Sequence, residues 1–125
     1  MFLAVPLGVA CLLLTCERED RLLIGSWQAS RITEGGDSLH IDPTEVGFVF
    51  RPNNRYAFRS TLRYREAGTW RLDNGYLFAR DTTQPVNEER VVAVEKLTVD
   101  SLVIRMQRDS AERLMTLLRT SPPPE

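Results

Sequence analysis

With 125 residues, 42% of them hydrophobic, the chain has enough apolar material for one compact domain and too little length for two. Sixteen basic against seventeen acidic residues leave a formal net charge of −1, so no global field gathers nucleic acid or acidic substrates, and the composition is far from that of a disordered chain. Among the basic residues only Lys96 is Lys, a bias toward Arg that suits planar, bidentate surface pairing with carboxylates.

Residues 1–16, MFLAVPLGVACLLLTC, form an apolar run without a charged side chain. It is short for a membrane span, which needs about 20 residues, and about right for the apolar part of a signal peptide. Both cysteines, Cys11 and Cys16, lie within it, so no disulfide or zinc scaffold is expected in the folded part. Residues 17–21 read as a charged linker, residues 22–119 as the folded domain, and residues 120–125 as a proline-rich tail.

Leu23 to Ile32 is rich in strand formers and is closed by turn residues from Glu34 to Ser38, which gives a first strand and then a loop through His40, Asp42 and Pro43. Val46, Phe48 and Phe50 share one face of a second strand, and Pro52-Asn53-Asn54 is a tight-turn composition. In Arg55 to Arg63, Tyr56, Phe58, Ser60 and Leu62 alternate with Ala57, Thr61 and three arginines, the period-two pattern of a half-buried strand. Arg65, Glu66 and Ala67 read as its turn, and Gly68, Trp70 and Leu72 as the inner face of a fourth strand. Asn74-Gly75 is the pair favoured by mirror-image hairpin turns and leads into a fifth strand, Tyr76 to Arg80. After a polar loop over 81–89 come a sixth strand, Arg90 to Leu97, and a seventh, Ser101 to Arg108. Ala111 to Leu118 consists of good helix formers, but its place at the end of a run of hairpins favours a closing strand.

Eight short strands joined by short connections cannot be parallel, because parallel pairs need long crossovers. The expected fold is all-β, an eight-stranded antiparallel up-and-down barrel, whose interior is either filled by side chains or holds one small ligand.

Two triplets, Gly25-Ser26-Trp27 and Gly68-Thr69-Trp70, and the later Lys96-Leu97-Thr98 with Ser101-Leu102-Val103-Ile104, follow a signal-like segment. In that order they resemble the small lipocalin-like lipoproteins of Gram-negative bacteria, with a calycin-type barrel. The end of the apolar run, Leu13-Leu14-Thr15-Cys16, resembles the lipobox in which the cysteine is lipidated. The resemblance implies a barrel anchored to the outer membrane of the bacterial cell envelope through lipidated Cys16, with a possible small apolar ligand. It also implies that Trp27 closes one end of the barrel and is packed by a basic residue near the end of the last strand, here Arg119.

Enzymatic motifs are close to absent, and a non-enzymatic protein without cofactor, metal or nucleic-acid partner is expected. The only histidine, His40, has Asp37 and Asp42 nearby but no second ligand or nucleophile, and reads as a surface loop residue. Glu95 follows an apolar run and is expected outward, paired with an arginine, with a β-bulge close by. Arg55, Arg59 and Arg63 are expected on one wet strand face. The candidate barrel interior comprises Trp27, Phe48, Phe50 and Tyr56, together with Phe58, Trp70 and Met106. Two functions follow from it: an interior open to a small apolar ligand, or a filled barrel serving as a protein-interaction module of the envelope.

Overall fold

The structure is a computed structural model and describes residues 19–61, 63–86, 88–108 and 110–121. The candidate signal segment with Cys11 and Cys16, and the last four residues of the tail, lie outside the described residues.

Residues 19–23 make a short helical turn, closed by Ile24 N–H donating to the Asp20 carbonyl at 3.1 Å. The turn takes in Leu22 and Leu23, so the first strand, β1 (Gly25–Glu34), starts later than its strand-forming composition suggests. A two-residue β2 (Asp37–Ser38) pairs back onto its end, and a 3-10 turn (Pro43–Glu45) follows. Both fall within the expected loop. The 3-10 turn exists because Asp42 accepts from the Thr44 backbone and hydroxyl at 3.0 and 2.7 Å, an N-cap ahead of a proline. His40, just before it, is exposed.

The remaining strands are β3 (Gly47–Phe50), β4 (Arg55–Arg59), β5 (Arg65–Asp73), β6 (Tyr76–Asp81), β7 (Glu89–Leu97), β8 (Ser101–Arg108) and β9 (Ala111–Arg119). Every pair is antiparallel. The ladder runs β1-β3-β4-β5-β6-β7-β8-β9, and β1 pairs again with β9. With β2 as a spur, this is a closed eight-stranded barrel, and closure removes the unpaired edges that an open sheet would expose. The helix-forming composition of Ala111 to Leu118 is overridden by tertiary pairing: Trp27↔Arg119 through Glu34↔Arg113 on one side and Ser101↔Leu118 through Arg108↔Ala111 on the other.

Three readings of the sequence are corrected. The alternation from Arg55 continues to Arg63, but β4 stops at Arg59. The chain turns beyond Arg59, with Ser60 N–H donating to Tyr64 O at 3.1 Å and Tyr64 N–H to Thr61 O at 3.2 Å, and with Arg63 in the left-handed region at φ 61°. Arg63 therefore does not extend a strand face with Arg55 and Arg59. Finally, Glu66 and Ala67 are strand rather than turn, because Arg59↔Arg65 is already a register pair. The bulge expected near Glu95 falls between Val94 and Lys96, and Glu95 pairs outward with Arg105 on the neighbouring β8.

Inward-facing residues follow the alternation, and the core is Trp27, Phe50, Tyr56, Leu102, Ile104 and Leu117, each at most 1% exposed. Strand direction sorts the barrel into two ends. The helical turn and the turns Pro52–Asn54, Asp73–Gly75 and Thr98–Asp100 gather at one; the connections after β1, β4, β6 and β8 gather at the other.

Candidate functional site

The first end is shut. The Trp27 indole N–H donates to the Leu23 carbonyl at 2.8 Å, tying the helical turn across the barrel floor. The Arg119 guanidinium lies 4.3 Å from the Trp27 ring centroid and donates to the carbonyls of Ile24, Leu22 and Val99. A Cβ on Gly25, whose φ is +134°, would run into that guanidinium, so glycine two residues before Trp27 is the space Arg119 occupies. Phe50 and Trp70 complete the floor, edge to face at 5.7 Å, and the Trp70 indole N–H donates to the Arg51 carbonyl at 3.3 Å. Trp27, Phe50 and Trp70 thus fill the closed end, and none of them lines the interior cavity above it.

Above that floor the barrel holds a cavity of about 360 Å³. Phe48, Tyr56, Phe58 and Met106 line it, as four of the seven expected interior residues, with the Phe48 and Phe58 rings tilted against each other at 4.6 Å. Ile41, Ser60 and Tyr64, from the connections of the far end, line it too, which places its mouth opposite the helical turn. Ile32, Val46, Leu77, Ile104 and Met115 form a deep apolar wall. The volume lies within the range of small-molecule sites, about 300–1,000 Å³.

One side of the wall is polar. The Glu66 carboxylate is only 4% exposed and accepts from three donors: Tyr56 Oη at 2.5 Å, Tyr64 Oη at 2.8 Å and Arg90 Nη2 at 3.1 Å. A buried carboxylate without such partners would be expelled or neutralised. Burial pushes the Tyr56 hydroxyl well above its ordinary pKa, and the Glu66 carboxylate pushes it further. The bond to Glu66 raises Tyr64 as well. For Arg90, burial is the largest influence and works against the charge, but Glu66, Tyr64 and Tyr56 together outweigh it and the pKa rises. On the opposite side of β8, Arg113 lines the cavity, and its Nη2 donates to Glu34 at 3.3 Å.

Glu66, Tyr64, Arg90 and Arg113 were not among the residues singled out from the sequence. A signal for three of them is present: Glu66 is in phase with Gly68 and Trp70, Arg90 with Val92, and Arg113 with Met115 and Leu117. A charge on the dry parity of a strand marks an inward polar group. Among the described residues no group of three His, Cys, Asp or Glu is placed to hold a metal ion, and no helix is long and apolar enough to cross a membrane.

The barrel has a solved structural counterpart. It is similar to the crystal structure of an uncharacterized protein from Bacteroides eggerthii, at a TM-score of 0.57 and 12% identity, covering 78% of this chain and 98% of that one. At that identity the likeness establishes the fold alone. No family model matches the chain, and no curated protein matches it.

Proposed function

We propose that this chain is a non-enzymatic, lipid-anchored protein of the bacterial envelope whose lipocalin-like barrel binds a small, largely apolar molecule. The observation that carries the reading is the interior cavity of about 360 Å³, apolar at depth and open at the end opposite the Trp27 floor. A filled barrel acting only through its outer face would have no such space. The Trp27–Arg119 packing supports the lipocalin-like part of the reading, and the Leu13-Leu14-Thr15-Cys16 sequence supports the anchor. The helical turn at 19–23 is tied to the closed end, so an anchor at Cys16 holds that end toward the membrane and turns the mouth away from it.

The test is binding of a neutral apolar dye, N-phenyl-1-naphthylamine, followed by its fluorescence. The wild-type protein is expected to bind it saturably. Ala79→Phe, which adds a ring to the cavity wall, is expected to weaken binding by roughly tenfold or more while costing about 1–3 kcal/mol of stability. Equal binding by both proteins would contradict an interior site.

A further inference from the structure

The end of β4 and the start of β5 carry their charges in an arrangement that sheets ordinarily avoid. Arg59 and Arg65 are register partners, which brings their Cβ atoms to about 5 Å, and like charges placed directly opposite one another are destabilising. Arg71, Arg80, Arg90, Arg105 and Arg113 each stand beside a carboxylate. Among the described residues no carboxylate is within ion-pair distance of Arg59, Arg63 or Arg65. These three guanidiniums line one shallow concavity on the rim at the mouth end, with Ser60, Thr61 and a single acid, Glu45. Three cations against one anion leave a local excess of two positive charges.

Arg59 is held from behind. Its Nη1 donates to the Thr44 carbonyl at 3.3 Å, and Thr44 is itself fixed by Asp42. A Cβ on Gly47 would stand 2.9 Å from Cζ and Nη2 of Arg59, so the guanidinium rests in the space that this glycine leaves open. A guanidinium has five N–H donors and no acceptor; Arg59 uses one of them on Thr44, and the side chains of Arg63 and Arg65 use none among the described residues. Arg63, at φ 61°, takes a left-handed conformation uncommon outside glycine, and it lines the concavity of the other two. The complementary group is a compact anion rich in acceptor oxygens. A carboxylate offers one charge and two oxygens, whereas a phosphate monoester carries about −1.5 to −2 at neutral pH on three terminal oxygens. The second matches both the excess charge and the paired N–H geometry of adjacent guanidiniums.

We infer that Arg59, Arg63 and Arg65 form an oxyanion site on the rim of the barrel that binds a phosphate monoester, borne by a soluble phosphorylated molecule or by a lipid headgroup. Of its lining only Ser60 is shared with the interior cavity, so the site stands whether or not the cavity takes a ligand. Glucose 6-phosphate, glucuronate and glucose share one ring and differ in the charged group, and each can be titrated into the full chain at about pH 7.5, where the ester is dianionic. Backbone amide resonances of Ser60, Thr61 and Arg65 are expected to shift saturably with glucose 6-phosphate and to stay in place with glucose. Its affinity is expected to exceed that of glucuronate about tenfold, the worth of one further charge-assisted hydrogen bond. Arg65→Gln, at an exposed position, is expected to keep the fold and reduce that advantage below about twofold. Arg65→Lys keeps the charge but not the planar fork, and is expected to recover only part of it. Cosedimentation with vesicles distinguishes the two sources: retention on phosphatidic acid vesicles beyond that on phosphatidylcholine alone, lost in Arg65→Gln, assigns a lipid headgroup, and a preference for glucose 6-phosphate without such retention assigns a soluble ester. Absence of both preferences, or either one persisting undiminished in Arg65→Gln, would overturn the site.

Discussion

Tyr56 carries a hydroxyl into the barrel interior and finds there an acceptor that would otherwise be a liability. With Tyr64 and Arg90 it makes the Glu66 charge tolerable at 4% exposure. In Tyr56→Phe, Glu66 keeps two of its donors, so the expected loss is about 1–2 kcal/mol, measured by urea unfolding at neutral pH. The same bond makes an alkaline prediction. Burial and Glu66 raise the Tyr56 pKa in the folded state, whereas in the unfolded chain the hydroxyl ionises near pH 10. The stability it contributes is therefore complete below about pH 10 and is lost above it, by about 1.4 kcal/mol per pH unit. Tyr64, 40% exposed, adds a weaker slope of the same sign because solvent screens it. Unfolding curves between pH 9 and 11.5 are expected to show a steep decline in the wild type and a shallower one in Tyr56→Phe; parallel declines would remove Tyr56 from the cause.

At the level of elements, β5 and β6 show why the Gly68-Thr69-Trp70 triplet is built as it is. A Cβ on Gly68 would strike the backbone carbonyl of Arg80, and backbone cannot swing aside as a side chain tip can. Gly68→Ala is expected to cost about 3 kcal/mol and lower Tm on the order of 10–20 °C. Gly75→Ala, at the turn of the same hairpin with φ +82° and open space around it, is expected to cost only about 1 kcal/mol. Thermal unfolding of the two variants separates a packing need from a backbone one, and equal losses would contradict it. These elements also show what the sequence could reveal. Strand parity in β8 reads directly, because Leu102, Ile104 and Met106 repeat every second residue between clear turns, whereas β9 reads as a strand only from its place after the hairpins. The start of β5 does not read, because Arg65-Glu66-Ala67 has turn-like polarity and the buried partner that makes Glu66 tolerable, Tyr56, lies on another strand. The alternation through Ser60 misleads for the opposite reason. Period two continues in the letters, while register with β5 ends the strand at Arg59.

For the molecule as a whole, the division of the aromatic residues matters most. From the sequence they form one candidate interior; folded, Trp27, Phe50 and Trp70 seal a floor, and Phe48, Tyr56 and Phe58 surround the space above it. Composition bounds the amount of core but not where side chains fall short of filling the barrel, since that depends on which strands bring small residues such as Ala79 to the same level. The anchor is a separate claim with its own check. Cys16→Ser is expected to move the protein from the detergent phase to the aqueous phase in phase separation, and unchanged partition would exclude lipidation at that residue. Native mass spectrometry of the protein purified from its own host tests the central claim most directly. A binding barrel is expected to carry a noncovalent small molecule that is released on collisional activation and depleted in Ala79→Phe. Wild-type protein that is consistently ligand-free would contradict it.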